Sequence, residues 1–246
     1  MDLPPGHHIT TDSLLQHMSN LSPISYELFD FLADLQSNNN RPWFAEHKHR
    51  YTEQVLEPCV QLCEQLSNPL KKVAAQISVE AKPHRGSIMR IYRDTRFSKD
   101  KRPYKTNVGI SLRHRVESDL HSPGIYLHLE PRTCFMGFGC WKPDRETLSL
   151  IRQEIINRPA SWNRIKKQFQ QNAEFEIAGD QLKQGPRGVP KDHPCIEDLK
   201  RTDFILLASL TEQELVEKDP IPRLVDLTKQ AGSWMRFLCR SIQIKY

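Results

Sequence analysis

Between residues 87 and 140 the apolar side chains return at every second position, and this change of period constrains the fold more than any other feature of the chain. The segments SIMRIYR, NVGISLRH and GIYLHLEP alternate, and TCFMGFGC is apolar and glycine-rich. A period of two is the pattern of a half-buried strand, so four strands are predicted here. Joints as short as HSPG and EPRT favour an antiparallel meander. On either side the period becomes helical. Leu28, Phe29, Phe31, Leu32 and Leu35 share a helix face that ends in SNNN. The next segment offers Asn as an N-cap, carries Pro42 near its first turn, and places Phe44, Tyr51, Val55, Leu62 and Leu66 on one stripe, with Pro58 expected to kink or divide it. After the strands, Leu148, Ile151 and Ile155 mark a helix, ASWNRIKKQFQQ a second, CIEDLK a short third, DFILLASL a strand, and residues 221–239 a final helix. These elements predict an α+β fold: one domain over residues 23–246, mainly antiparallel sheet flanked by N-terminal and C-terminal helices, preceded by a flexible arm at residues 1–22.

A length of 246 residues, 38% of them hydrophobic and 26% charged, is enough for one globular core. No stretch approaches the ~18 consecutive apolar residues of a membrane span, and the first residues, MDLPPGHHITTD, do not read as a leader. Six Cys without a C-x-x-C pair predict reduced thiols and a cytoplasmic protein. The phosphate loop G-x-x-x-x-G-K-[ST], G-x-S-x-G and G-x-G-x-x-G are missing, which disfavours the phosphate-loop NTPases and the dinucleotide oxidoreductases. No His, Cys or Asp spacing fits a zinc site, so no metal is expected, and the cofactor is left unknown.

Function is concentrated in one run. RIYRDTRFSKDKRPYK, residues 90–105, holds seven Arg or Lys and two Asp, and its +5 equals the net charge of the whole chain. If residues 88–93 and 107–114 are neighbouring strands, the joint between them is longer than the usual hairpin loop of about 2–5 residues, and loops of that kind tend to be functional. Forked guanidinium donors suit phosphate or carboxylate. The expected anion-binding residues are therefore Arg90, Arg93, Arg96, Lys101 and Lys105, with a phosphate- or carboxylate-bearing ligand as partner and nucleic acid as the second partner class.

Alternation along GIYLHLEP places Tyr126, His128 and Glu130 on one polar face, where His128 and Glu130 are the parts of an acid–base pair. Arg90, read as lying within a strand, is expected to reach a carboxylate there such as Glu130. A second basic loop, LKQGPRGVPKDHP, adds Arg187 and Lys191 ahead of a helix whose cap would be Asp192 or His193, with Pro194 at its first position. Three readings follow: an enzyme acting on a phosphorylated small molecule or nucleotide, a nucleic-acid or protein-binding module without chemistry, and a structural charge network in which Asp94 and Asp100 simply neutralise the arginines.

The signature Arg90-x-x-Arg93-Asp94-x-Arg96-Phe97, followed by Asp100-Lys101-x-x-Tyr104-Lys105, resembles that of a bacterial family known as domain of unknown function 2461. The segments LFDFLADLQSNNNRPWFAEHKHRY, YLHLEP, GCWKPD and PRGVPKDHP extend the resemblance over most of the chain. It implies one globular domain over residues 23–246 and brings no activity, substrate or cofactor with it.

Overall fold

The computed structural model describes residues 22–116 and 122–246, so the arm expected at residues 1–22 lies, apart from Ser22, outside the described residues. The strands are β1 (Ile77–Ser78), β2 (Val108–His114), β3 (Gly124–Leu129), β4 (Cys134–Cys140), β5 (Glu176–Ala178) and β6 (Phe204–Leu210). They form one antiparallel sheet in the order β1-β2-β3-β4-β6-β5. The α+β class and the antiparallel sheet agree with the periodicity. Strand β6 sits inside the sheet, paired with β4 on one edge and β5 on the other, and buries Phe204, Leu206, Ala208 and Leu210 on one side. The same side carries Ile110, Leu112, Ile125, Leu127, Met136 and Phe138, and the helices pack over it.

Helix α1 (Tyr26–Ser37) buries the five apolar residues that predict it. In α2 (Arg41–Glu46) the Asn40 side chain accepts from the Trp43 amide at 3.0 Å, and Pro42 occupies the first turn, where no amide hydrogen is needed. The chain continues through α3 (Lys48–Arg50), a π-helical stretch (Tyr51–Leu56) and α4 (Glu57–Lys71). Pro58 therefore does not divide the helix. It lies in the first turn of α4, directly after the wide π turns, where its missing N–H is accommodated. On the far side of the sheet's sequence come α5 (Arg145–Asn157), capped by Asp144 on the Thr147 amide, and α6 (Pro159–Gln170). Helices α7 (Ile196–Leu199), α8 (Glu212–Val216), α9 (Ile221–Gln230) and α10 (Gly232–Ser241) complete the core. The single final helix expected at residues 221–239 is thus two helices, separated at Ala231.

Residues 88–93 are not a regular strand. Ile88 bridges Ile110 and Tyr92 bridges Tyr104, but Ile88 and Ile91, three apart, are both buried, while Arg90 and Tyr92 are exposed. The segment first follows the edge of β2, with the Met89 amide on the Gly109 carbonyl at 2.8 Å. It then turns away to pair with residues 103–105, the Lys105 amide meeting the Ile91 carbonyl at 2.7 Å. Two different partners in six residues break the alternation on which the strand was predicted.

Candidate functional site

The side of the sheet opposite the core is laid out by register. Gly109 faces His128 across β2 and β3, Ser111 faces Tyr126, and Phe135 and Gly137 of β4 continue the two rows. Side chains that face one another across a ladder are close enough to interact, with Cβ atoms about 4.5–5.5 Å apart. The His128 ring stacks on Phe135, 4.6 Å between centroids and 10° between planes, which fixes the plane of the imidazole. Its Nε2 lies 3.2 Å from Glu130 Oε2, and its Nδ1 lies 3.3 Å from the Tyr126 hydroxyl and 3.4 Å from Asn107 Nδ2. The carboxylate is held in turn by the Thr106 hydroxyl, which donates to Oε1 at 2.9 Å. Burial raises the pKa of the Tyr126 phenol, while the Asn107 amide bond opposes the shift. The ring of Tyr126 crosses Gly109 so closely that a Cβ there would stand 2.5 Å from the hydroxyl oxygen. A side chain at position 109 would therefore push the Tyr126 ring out of its place beside His128. His128 and Glu130 are thus brought together as the alternation predicts. Tyr126, Thr106 and Asn107 were not assigned roles from sequence; Tyr126 carried a signal in the same alternation, whereas Thr106 and Asn107 depend on a strand register that the sequence does not display.

The arginine run forms a loop whose base is the bridge between Tyr92 and Tyr104. Tyr104 stacks on Phe44 at 4.2 Å, and its amide and carbonyl are both bonded to the Asn39 side chain, at 3.1 and 3.0 Å. Inside the loop the charges pair with one another. Arg93 meets Asp100 at 2.7 Å, Arg102 meets the same carboxylate at 2.8 Å, and Arg96 meets Asp94 at 2.6 Å. Lys101 donates to the Thr95 carbonyl at 2.9 Å. The Arg96 hydrogen bonds hold the Asp94 carboxyl down at a pKa of about 2, and Arg102, then Arg93, hold that of Asp100 lower still. Arg90 makes no hydrogen bond or ion pair among the described residues, so the expected contact with Glu130 is not formed. That carboxylate is occupied by His128 and Thr106. The break in alternation described above is what turns Arg90 outward. Burial, and secondly the charge of Arg90, lower the pKa of Lys105.

Arg187 and Lys191 are exposed in the connection between β5 and β6. That connection leaves the sheet at the end where Gly124, Cys140 and Phe204 lie, and from the β5 edge. The arginine loop and Glu130 lie at the opposite end, beside β2 and β3. Several strand spacings of about 4.8 Å separate the two basic loops, so one ligand-sized site does not contain both. The helix after the second loop is also shorter than expected: α7 begins at Ile196, its cap residue Cys195 makes no side-chain cap, and His193 Nδ1 accepts from the Cys195 amide instead.

The family model described as conserved hypothetical protein (DUF2461) matches residues 27–237, and the chain belongs to that family. No curated protein matches the chain.

Proposed function

We propose that the face of the sheet opposite the core is a proton-transfer site acting on an anionic substrate, a phosphorylated small molecule or nucleotide. The observation that supports this reading is the chain of contacts from Glu130 through His128 to the Tyr126 hydroxyl, at 3.2 and 3.3 Å. A carboxylate can only accept, so it takes the Nε2 hydrogen of a neutral imidazole and leaves the Nδ1 lone pair facing Tyr126. The phenol, kept protonated by burial, donates to that lone pair. When Tyr126 takes a proton from substrate, its own proton passes to Nδ1, and the resulting imidazolium is stabilised by Glu130. The reverse transfer returns it. Arg90 and Lys105 raise the positive potential next to Thr106 and Glu130, and an anion relieves their mutual repulsion.

For Arg93, Arg96 and Lys101 a structural role is the better reading, because each already has an acceptor within the loop. Exposed pairs of this kind contribute little individually but give the loop one shape.

The test is consumption of phosphorylated metabolites, followed by mass spectrometry, with wild type, His128→Gln and Tyr126→Phe. Loss of a general acid–base group lowers turnover by about 10²–10⁴-fold, and that loss is expected in both variants. Undiminished turnover in His128→Gln contradicts the reading, and ligand binding without turnover in wild type favours a binding module.

A further inference from the structure

Past Tyr126 the same face of the sheet deepens into a cleft of about 420 Å³, lined by Ser78, Glu80, Arg85, Ser87, Ser111 and Arg115 together with neighbouring residues of β2. We infer that this cleft, and not the internally paired residues 93–102 of the arginine-rich run, is an anion site that binds the phosphate group of a small organic phosphate monoester.

The cleft wall is a closed turn. The Ser87 amide donates to the Glu80 carbonyl at 2.9 Å, and the Glu80 amide donates back to the Ser87 hydroxyl oxygen at 2.9 Å. Within the turn, Arg85 has φ 56, a left-handed conformation that a non-glycine residue adopts only when its surroundings impose it. Gly86 follows, and a Cβ on it would stand 2.5 Å from the Glu80 carbonyl oxygen, so the turn closes only with glycine there. The backbone of Arg115 is tied to the sheet edge by its amide on the Gln76 carbonyl at 2.8 Å. Both guanidinium groups lack a hydrogen bond or ion pair among the described residues, in contrast to Arg93, Arg96 and Arg102. Arg113 lines the cleft as well, but the inference rests on Arg85 and Arg115.

Hydroxyl donors complete the set. The Ser87 oxygen accepts from Glu80, which leaves its hydrogen to donate, and the hydroxyls of Ser78 and Ser111 have no partner among the described residues. Among the described residues of the lining the one carboxylate, Glu80, faces Lys82 at 3.6 Å. Two uncommitted guanidiniums match the charge of about −1.5 to −2 on a phosphate monoester near neutrality, and a single carboxylate would leave one of them unmatched. The volume falls within the range of about 300–1,000 Å³ typical of small-molecule sites, so the ligand extends beyond the phosphate itself. Ser111 faces Tyr126 directly and Ser87 faces Ser111 from the other side. A monoester held by its phosphate in the cleft therefore has its organic part beside Tyr126. That last relation alone rests on the proton-transfer reading; the binding site stands on its own donors.

Calorimetric titration of the full chain with phenyl phosphate, and with benzoate at matched ionic strength, decides it. Phenyl phosphate is expected to bind. Arg85→Asn, which keeps a residue tolerant of the left-handed backbone, and Arg115→Gln, on a different element, should each weaken binding by about tenfold or more, as removal of a charge-assisted hydrogen bond does. Arg96→Gln should leave it within about twofold. Melting curves check that the variants are folded; should one of them unfold, the other decides. His128→Gln should still bind, so failure of the chemistry and failure of the site are read separately. No binding of phenyl phosphate, unchanged affinity in a folded Arg85→Asn or Arg115→Gln, or a loss in Arg96→Gln instead overturns the site. Equal binding of benzoate with the same arginine dependence overturns its assignment to phosphate.

Discussion

Asp94 and Asp100 sit among seven cations, and their ionised forms are the ones bonded in the folded loop. The Arg96 bonds lower the pKa of Asp94 from 3.8 to about 2, and the Arg102 and Arg93 bonds shift Asp100 in the same direction. A carboxylate with a depressed folded pKa adds stability above its unfolded value and loses it as the pH falls through the folded one. The Asp94 pair therefore contributes fully above pH 3.8 and is lost toward about pH 2, and the Asp100 pairs are lost in the same direction as the pH falls further. The melting midpoint of wild type should fall more steeply across that window than that of the Asp94→Asn, Asp100→Asn double variant. Parallel curves would show that the pairs do not act on folding. The same residues explain why composition misleads here. Seven cations in sixteen positions read as a binding surface, yet each Asp is placed two residues before the Arg that folds back onto it. A net charge does not display that local return.

At the scale of elements, the loop is anchored at its base as well as by its charges. Asn39, in the turn between α1 and α2, bonds both the amide and the carbonyl of Tyr104, and Tyr104 packs on Phe44 of α2. Asn39→Ala leaves two partly buried backbone groups unsatisfied, which costs about 1–3 kcal/mol. It should also expose the lysines and arginines of residues 94–102 to faster trypsin cleavage. Unchanged stability and cleavage would mean that the pairs inside the loop suffice to hold it. The strands β2, β3, β4 and β6 and the helices on either side were legible because each buries one face along its whole length, which leaves its period in the sequence. Residues 88–93 were not, because they pair with two different partners, and β1 and β5, of two and three residues, are too short to show a period. The division at Ala231 is invisible for a related reason: both helices on either side of it bury apolar faces, so the stripe runs on while the backbone turns.

Over the whole molecule, the sheet decides which charges can act together. Its order separates residues 182–195 from the arginine run by several strands and places them at opposite ends. The same order draws Ser87, Ser111 and Tyr126 into one row, with Gly109 and His128 in the next. The pair His128 and Glu130 could be read from alternation on a single strand. Arg85 and Arg115, which lie 30 positions apart in the chain, meet only through the edge of β2, and no local pattern announces that. The proposed function lies on the face of the sheet opposite the core and not on the paired residues 93–102. Mapping backbone amide chemical shifts during titration with phenyl phosphate tests it most directly. The largest changes are expected at residues 78–87, 111–115 and 126–128, with residues 94–102 and 182–193 nearly still; changes centred on residues 94–102 and sparing Ser111 and Tyr126 would overturn it.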